Sequence, residues 1–513
     1  MGLIKDWDFY WDNRAKFRLG HLTTEKPNPK TSGLAENAQN NIVEAFDSIR
    51  NVDLDAINKL KEYELEYKKL LFDFNCVLNN NGRIFISGCG ATGRLALMLE
   101  SLWKQHAPDN LKDKVIGFMA GGDGALVKSV EGFEDHEEYA IRHIQELGFT
   151  ENDFLIGVTE GGETPFVLST IEYAKEHSNY NPWMLYCNSD ESLVNIERSN
   201  NLIQADDVES LCLEIESMAL TGSTRMQATT IQTLFVGLAL FEVFENVDFL
   251  SELDMLCKAT KNLDAKQITD FTQYEADVYK TNGYTTYETT QDLGLTILTD
   301  TTERSPTFSM TAFENTNDLT TDKCLCYLSL QEGDSSKDVW FGILQHTPRT
   351  LEWDFSKSDT GIENLYGFDI SSKAAKRRSD FHNHHKISVL NSVDGYVINY
   401  DDKQVCFEAK NMSAITSQVL LKMVLNNHST LVMGCLGRYD SNIMTYVAPA
   451  NNKLIDRATR YVEYLLEQNN YQKPNYDDLV KKLYEISKGL VKTDSVVLET
   501  YNAVIKEVKS NAN

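Results

Sequence analysis

The sequence predicts an α/β fold with two doubly wound parallel-sheet domains, flanking helices and a C-terminal helical cap. Three observations support this prediction. Strand-like and helix-like segments alternate from residue 81 to about 248, a weaker alternation returns from 281 to about 435, and the patterns outside these regions are helical. Alternation of this kind is typical of parallel sheets, which bind ligands at the carboxyl ends of their strands.

Five segments follow from these patterns. They are an N-terminal helical segment over 1–80, a first sheet domain over 81–248, a helical connector over 249–280, a second sheet domain over 281–449 and the cap over 450–513. Within the first segment, residues 22–31 are predicted to be extended, because each proline disfavours a helical conformation in the residue before it. Apolar residues then recur every three or four positions up to Leu78, as in a helix.

Composition and charge argue against some classes of binding partner. The chain has 513 residues, of which 42% are hydrophobic and 24% charged, as in ordinary globular proteins. Its formal net charge of −27 argues against nucleic acid and anionic membranes, although a local cradle with one or two cations can still bind a small anion. No apolar run approaches the roughly 20 residues of a membrane span. The polar, acidic N-terminus differs from a signal peptide, so we expect a cytoplasmic protein.

The cysteines and histidines give little indication of a metal site. Nine cysteines are scattered along the chain, and the closest pair, Cys324 and Cys326, lacks the spacing of a zinc site. We expect all nine to be reduced and buried, and we expect no metal and no cofactor. The basic, histidine-rich stretch 373–385 leaves zinc open as an alternative, but we interpret it as a surface or loop segment.

The first sheet domain has a regular pattern of elements. Its predicted strands are 83–87, 115–119, 154–159, 183–187 and a short 212–215, and its predicted helices are 95–105, 136–147, 164–176 and 223–244. A glycine-rich turn, Gly88-Cys-Gly-Ala-Thr-Gly93, joins the first strand to the first helix. Such a turn brings backbone N–H groups close to a phosphate, so Gly90, Ala91, Thr92 and Gly93 are candidate phosphate contacts. The alternative is a tight connection without a ligand.

Two further polar loops follow strands of the same domain. Glu160-Gly-Gly-Glu-Thr164 precedes Pro165, a residue suited to the first turn of a helix, and its candidate contacts are Glu160, Gly161 and Thr164. Thr221-Gly-Ser-Thr-Arg225 is predicted to open the helix 223–244, with Ser223 or Thr224 as its N-cap and Arg225 as a phosphate partner. For each loop alone, helix capping is the alternative interpretation.

The second sheet domain is less clearly patterned. Its predicted strands are 323–328, 339–344 and 396–400, which suggests a duplication that has drifted. The region equivalent to the first glycine-rich turn, residues 283–294, lacks the three closely spaced glycines, so we expect no second intact phosphate loop.

Several motifs resemble a known family. They are Gly88-Cys-Gly-Ala-Thr-Gly-Arg-Leu95, Ala120-Gly-Gly-Asp123, Val130-Glu-Gly-Phe-Glu-Asp135, Thr164-Pro-Phe166, Leu220-Thr-Gly-Ser-Thr-Arg-Met226 and, later, Lys422-Met-Val-Leu-Asn426 and Asn452-Lys-Leu-Ile-Asp-Arg-Ala458. Their order resembles that of the N-acetylmuramic acid 6-phosphate etherases and the related glucokinase regulatory proteins, both built on the flavodoxin-like sugar isomerase (SIS) domain. Two SIS-like copies in one chain resemble the regulatory proteins, because the short etherases pair two chains.

The resemblance also locates departures. The etherases carry a catalytic Glu ten residues after the phosphate-loop Ser or Thr, and that position here is Leu102. Glu100 is a poor substitute, because two helical positions differ by about 200°. The element Asp300-Thr-Thr-Glu-Arg-Ser-Pro-Thr-Phe308 resembles the etherase segment that contains this Glu, which makes Glu303 its counterpart, and the family Lys falls on Lys422. We hypothesise one composite site in which the second copy takes the role of a partner subunit. The alternative is that Glu303 and Lys422 are remnants.

The activity implied by the resemblance is that of a carbon–oxygen lyase that releases D-lactate from N-acetylmuramic acid 6-phosphate without a cofactor. Glu303 and either Glu131 or Glu134 would be the acid/base pair, and Thr92, Ser223, Thr224 and Lys422 would hold the phosphate. The alternative is a non-catalytic sensor of sugar phosphates that signals to a protein partner, and a third option is an aldose–ketose isomerase. The sequence is compatible with a monomeric pseudo-dimer or a homo-oligomer.

Overall fold

The computed structural model describes residues 4, 7–128, 130, 132–318, 322–491 and 493–511. The N-terminal part is helical, and its α-helices are α1 (Trp7–Asn13), α2 (Leu34–Asn40), α3 (Ile42–Leu60) and α4 (Glu64–Asn79). Helix α3 buries one face, which includes Phe46, Ile49 and Ile57, in the central core of the molecule. The predicted helical periodicity of this segment is therefore confirmed.

The first sheet domain alternates strands and helices. Its elements in chain order are β1 (Ile84–Gly88), α5 (Ala91–His106), β2 (Val115–Met119), α6 (Glu137–Glu146), β3 (Phe154–Val158), α7 (Pro165–His177), β4 (Trp183–Tyr186), α8 (Asp190–Leu193), α9 (Glu197–Ile203), β5 (Glu209–Cys212) and α10 (Gln227–Glu242). All five strands are parallel, in the order β2-β1-β3-β4-β5. The chain order reverses between β1 and β3, so a crevice opens at their carboxyl ends.

The second sheet domain follows two helices, α11 (Phe249–Asn262) and α12 (Ala265–Lys280). Its elements are β6 (Tyr284–Thr289), α13 (Gln291–Phe308), β7 (Cys326–Leu330), α14 (Ser336–Leu344), α15 (Lys357–Thr360), α16 (Ile362–Gly367), α17 (Ser372–Arg378), β8 (His384–Asn391), β9 (Gly395–Tyr400), β10 (Lys403–Glu408) and α18 (Ala414–Cys435). The strand order is β10-β9-β8-β6-β7. Strands β7, β6 and β8 are parallel, and β9 and β10 extend the sheet as an antiparallel meander. The predicted α/β class with two sheets is confirmed.

Several predicted elements need correction. The predicted strand 339–344 is part of helix α14, because the Ser335 side chain accepts from the Asp338 N–H and caps a helix there. The short predicted strand 212–215 ends earlier, at Cys212. The histidine-rich stretch lies largely at the surface, with Lys376, Arg377 and His382 exposed, but it is not a loop throughout: Ser372–Arg378 form α17, and His384 and His385 begin β8. A short apolar run does not by itself distinguish a strand from a helix.

The two sheet domains meet through four helices. Helices α5 and α10 pack against each other, as do α13 and α18, and each pair also packs against the other. The Ser101 hydroxyl of α5 donates to the Ile343 carbonyl of α14 at 2.6 Å. Helices α10 and α18 are buried along nearly their whole length, which explains why their sequences lack an amphipathic period.

Residues 346–360 form a segment, here called the strap, that runs from the second sheet domain onto the first. The Arg349 N–H donates to Asp123 Oδ2 at 2.7 Å, and the Arg349 guanidinium pairs with Glu100. A Cβ at Gly124 would lie 2.5 Å from the Thr360 carbonyl oxygen, so glycine allows the strap to approach. The strap therefore packs on the Ala120–Asp123 motif.

The C-terminal cap consists of α19 (Asn452–Gln468), α20 (Tyr476–Ser487) and α21 (Val496–Asn511). Arg457 and Arg460 of α19 pair with Glu25 of the proline-interrupted N-terminal segment, at 2.9 Å and 2.8 Å. None of the helices in the described ranges is long and apolar enough to cross a membrane. The cytoplasmic location stays a prediction. The nine cysteines are free, but Cys406 is exposed, against the expectation that all are buried.

Candidate functional site

The turn between β1 and α5 lies at the mouth of the crevice. Gly90 has φ +54°, and a Cβ there would meet no atom within 4 Å, so this residue faces open space. Ala91 beside it is also partly exposed. A Cβ at Gly93 would lie 2.4 Å from the Met119 Cβ, so Gly93 instead allows α5 to pack on β2. The Thr92 hydroxyl is buried and lies 3.0 Å from both the N–H and the carbonyl of Cys89, where it closes the turn.

The loop after β3 lies beside this turn. The Glu160 side chain is buried, and its Oε1 lies 3.2 Å from the Thr229 hydroxyl of α10. Burial raises the pKa of Glu160. The Gly161 carbonyl accepts from the Asn188 side chain at 3.0 Å, and the Thr164 hydroxyl lies 3.1 Å from that of Thr159. Pro165 is the first residue of α7, as predicted.

The loop before α10 differs from its prediction. The helix begins at Gln227, so neither Ser223 nor Thr224 is its N-cap, and Met226 holds that position. Residues 221–226 therefore form a loop that packs on its neighbours. A Cβ at Gly222 would lie 2.9 Å from Arg457 Nε of α19. The Ser223 hydroxyl is buried and has no hydrogen-bond partner in the described part of the chain.

Two predicted phosphate partners lie beneath this loop. The Arg225 guanidinium is buried and pairs with Asp300 of α13 at 2.9 Å and with Asn426 of α18 at 3.0 Å. The Lys422 amino group donates to the Arg225 carbonyl at 2.8 Å and to the Thr230 hydroxyl at 2.9 Å. Burial lowers the pKa of Lys422 to about 7. These bonds of Arg225 and Lys422 fix the loop 221–226 to helices α13 and α18.

Glu303 of α13 reaches the first sheet domain. Its carboxylate pairs with Arg94, which lies in the first turn of α5, two residues after Thr92. Arg94 is also fixed by a bond from its Nε to the Leu126 carbonyl at 3.0 Å. The Glu303 side chain is 12% exposed, whereas that of Arg94 is 2% exposed. Glu303 therefore contacts the glycine-rich turn through Arg94.

The segment 130–135 contributes a second carboxylate. Glu131 lies outside the described residues. Glu134 Oε2 accepts from the Cys89 thiol at 3.2 Å, and its Oε1 accepts from the Asn451 side chain. Its neighbour Asp135 accepts from Asn452 at 2.9 Å, and burial raises the pKa of Asp135 to about 6. Of the two predicted glutamates, the structure thus shows Glu134 beside the turn.

Lys453 of α19 is a cation that the sequence prediction missed. Its amino group lies 3.9 Å from Glu134 Oε2 and 3.8 Å from Glu163 Oε1. Burial lowers its pKa, but Glu134 and Glu163 outweigh burial, and the pKa of Lys453 lies above its ordinary value. The signal was present in the Asn452-Lys-Leu-Ile-Asp-Arg-Ala motif, to which no role was assigned. Within the described ranges, no three His, Cys, Asp or Glu side chains form a group suited to a metal ion.

These features agree with comparisons with known proteins. The family model for the glucokinase regulatory protein N-terminal SIS domain matches residues 73–175. The N-acetylmuramic acid 6-phosphate etherase of Geobacillus sp. (strain WCH70) is 31% identical over 221 residues, which are 43% of this chain and 70% of that protein. The etherase of Bacillus subtilis (strain 168) is 29% identical over 220 residues, 43% of this chain and 67% of that protein.

A longer match and a structural one complete the comparison. The etherase of Bacillus cytotoxicus is 28% identical over 271 residues, 51% of this chain and 86% of that protein. The crystal structure of tagatose-6-phosphate ketose/aldose isomerase from Escherichia coli superposes with a TM-score of 0.44 and 14% identity, over 81% of this chain and 97% of that one. On the identity and coverage of its etherase relatives, the chain belongs to the N-acetylmuramic acid 6-phosphate etherase family.

Proposed function

We propose that the chain binds a phosphorylated amino sugar in the crevice of its first sheet domain and cleaves it as an etherase-type carbon–oxygen lyase. One observation carries the proposal. Glu303 from one half of the chain and Glu134 from the other are both tied to the turn Gly88–Arg94, the first through Arg94 and the second through Cys89. Two carboxylates at one phosphate loop are the groups that elimination and water addition require.

The loops supply the phosphate-binding groups. Gly90 and Ala91 are partly exposed, and the helix dipole of α5 attracts an anion to its N-terminus, where the Thr92 and Arg94 N–H groups already donate to the Cys89 and Gly90 carbonyls. Thr92 fixes this turn, and Gly93 lets α5 pack. The Ser223 hydroxyl, which has no hydrogen-bond partner among the described residues, and the adjacent Thr224 are assigned as donors from the loop 221–226. Lys453 supplies the positive charge that the prediction assigned to Arg225 and Lys422.

Arg225 and Lys422 keep a role in this proposal, but as supports of the loop 221–226. Gly161 and Thr164 belong to the third loop of the proposed site, next to Glu160 in the sequence. Because α13 supplies Glu303 from within the same chain, one chain contains the composite site. The proposal therefore needs no second copy, which corresponds to the monomeric pseudo-dimer.

The proposed chemistry proceeds on the open-chain aldehyde of the sugar. One carboxylate removes the proton at C2, which the aldehyde acidifies, and the C3–oxygen bond breaks so that lactate leaves. Water then adds to the unsaturated aldehyde at C3, and a proton returns to C2. We assign the C2 base to Glu134, because Cys89 and Asn451 hold its carboxylate. Glu303 donates a proton to the departing lactyl oxygen and then accepts a proton from the incoming water. Binding of the remote phosphate orients the reacting carbons.

The direct test is lactate release from N-acetylmuramic acid 6-phosphate. We expect release by the wild type and a loss of about 10²-fold to 10⁴-fold in kcat/KM for Glu303→Gln, the usual range for a removed acid/base group. Glu408→Gln, at an exposed position on the edge strand β10, is the matched control and should behave as the wild type. Release that is unaffected by Glu303→Gln would reject this residue's role, and no release at all would reject the lyase.

A second candidate function is a non-catalytic sensor that binds a sugar phosphate and reports it to a protein partner. Two observations favour it: the match over 73–175 is to a regulatory protein, and Leu102, at the family's Glu position, is buried. A sensor would be stabilised against thermal unfolding by sugar phosphates and would release no lactate. The same two assays therefore separate the candidates.

A further inference from the structure

Lys453 lies between two carboxylates and is hydrogen-bonded to neither of them. Its amino group is 3.9 Å from Glu134 Oε2 and 3.8 Å from Glu163 Oε1. An N–H···O hydrogen bond is about 2.7–3.2 Å long, so both contacts are ion pairs without a shared proton. The Lys453 side chain is also 27% exposed. Neither carboxylate therefore takes up the three N–H donors of this ammonium group.

Glu163 has a second and closer cationic partner, Arg198 of α9. The Arg198 Nη2 donates to Glu163 Oε2 at 2.6 Å, and its Nε donates to the Glu163 carbonyl oxygen at 2.6 Å. The Glu163 side chain is 7% exposed and that of Arg198 is 24% exposed. Two charge-assisted bonds to one residue fix both its side chain and its backbone. Glu163 Oε2 is thus engaged by Arg198, and Oε1 is the oxygen on the side of Lys453.

Removal of Arg198 would change the balance of charges at Lys453. Glu163 would then be a buried carboxylate whose other cation within 4 Å, among the described residues, is Lys453. A buried charge without a close partner is costly, so the carboxylate would draw the ammonium group into a hydrogen bond. This requires a shift of about 1 Å, from 3.8 Å to about 2.8 Å, which the flexible stem of lysine allows. The charge and donors of Lys453 would then be directed to Glu163 instead of a ligand.

We infer that Arg198 is a positioning residue of the phosphosugar site: it neutralises Glu163 and so leaves the Lys453 ammonium group available to the phosphate of the ligand. Arg198 acts through Glu163 and Lys453 and does not itself contact the ligand. This inference rests on the proposed phosphosugar site but not on the lyase activity.

Calorimetric titration with N-acetylglucosamine 6-phosphate tests the inference. This probe carries the phosphate but no lactyl ether, so the titration measures binding alone. We expect Arg198→Gln to bind the probe about 10-fold to 100-fold more weakly than the wild type, the range for one hydrogen bond to a charged group. Adding Glu163→Gln removes the carboxylate that captures Lys453. We expect the double variant Arg198→Gln/Glu163→Gln to bind within about threefold of the wild type, because a glutamine leaves the ammonium group to the ligand.

Two controls separate positioning from stability and from net charge. Arg83 pairs with the buried Asp153 in a similar way, with Nη2 at 2.6 Å from Oδ2 and Nε at 3.0 Å from Oδ1, before the strands β3 and β1 begin. Arg83→Gln should lower the thermal stability but leave the affinity unchanged. Arg198→Gln/Glu151→Gln has the net charge of the double variant, loses an exposed carboxylate instead of Glu163 and should stay as weak as Arg198→Gln. Thermal unfolding checks that every variant is folded.

The outcomes separate the inference from the proposed function. An unchanged affinity in Arg198→Gln, or an equal loss in Arg83→Gln, would overturn the inference even if lactate is released. A loss that Glu163→Gln does not restore, or that Glu151→Gln restores equally, would also overturn it. Restoration by Glu163→Gln alone, without lactate release by the wild type, would support the inference and reject the lyase. No binding of the probe by the wild type would overturn both the inference and the site on which it rests.

Discussion

The turns that begin the two sheet domains occupy corresponding positions and are built differently. In the first, β1 passes through Gly90 to α5, and this glycine faces open space. In the second, β6 passes through Thr290 to α13, and the Gln291 N–H donates to Glu332 Oε2 at 3.1 Å. The first turn leaves its helix N-terminus open to a ligand, whereas the second places a carboxylate of the chain itself at the helix N-terminus.

Under the proposed function, this difference divides one site between the two sheet domains. A carboxylate is a favourable partner for a helix N-terminus, so Glu332 stabilises the start of α13 without any ligand. Helix α13 instead contacts the first domain through side chains beyond its N-terminus: Glu303 pairs with Arg94, and Asp300 pairs with Arg225. At this turn of the second domain Glu332 takes the place of an anion, and α13 supplies side chains that contact the first domain.

The largest expected effect comes from breaking the buried contact between the domains. Arg225→Met leaves Asp300 buried with only part of its partners, because both side chains are less than 5% exposed. Removing one member of a buried ion pair costs about 3–5 kcal/mol of unfolding free energy. Urea unfolding measures this loss. Lys357→Met, whose ion pair with Asp354 is exposed, is the control and should cost less than about 1 kcal/mol. A loss as small for Arg225→Met would show that the first domain does not hold α13 through this pair.

The next effect concerns the cap, which brings Lys453 to the first turn. Burial raises the pKa of Glu25, but Arg457 and Arg460 outweigh burial and lower that pKa to about 2. A carboxylate whose pKa is lower in the folded state stabilises the fold at pH values above its unfolded-state pKa. This stabilisation is lost as the pH falls, here between about 4.5 and 2. We expect Glu25→Gln to cost about 3 kcal/mol at pH 7 and progressively less toward pH 2. Unfolding at several pH values checks it, and a cost that is constant with pH would contradict the assignment.

The smallest predicted effect contrasts the two turns directly. Gly90→Val places a side chain in the open face of the first turn and at a positive φ, so we expect phosphosugar affinity to fall about 10-fold to 100-fold. Glu332→Gln at the second turn should leave that affinity unchanged and lower the stability by about 0.5 kcal/mol, through weaker helix capping. Calorimetry measures both variants. An equal loss of affinity in the two would mean that the second turn also contributes to binding.

Much of the fold was predictable, because local patterns indicate it. The glycine-rich turn, the strands that flank it and Pro165 at the start of α7 follow from short-range geometry, and the structure has them nearly where they were predicted. The second sheet was harder to predict. Strand β9 lies at the predicted 396–400, but β8 and β10 were not predicted, because their exposed and half-buried residues are mostly polar and their hydrophobic signal is weak.

The candidate site was predictable in part. Glu303 pairs with Arg94 of the glycine-rich turn, and Glu160 contacts Thr229 of α10. Arg225 and Lys422, however, are buried beneath the loop 221–226, and Lys453 was missed. A motif names a residue type and a position on an element, whereas the direction of a long side chain depends on charges that arrive from elsewhere in the chain. Arg225 points beneath the loop 221–226 because it pairs with Asp300, which lies 75 residues away in the sequence.

The sequence by itself predicted one glycine-rich turn and an α/β fold with two sheets, because glycine spacing and apolar periodicity are local properties. Only the tertiary structure decided which side chains meet there. Glu303 and Lys453 come from α13 and α19, and they reach the turn because the four central helices and the Glu25–Arg457 pair hold those helices against the first sheet domain. The packing that brings these helices to the turn joins residues hundreds of positions apart in the sequence, so no local sequence pattern predicts it.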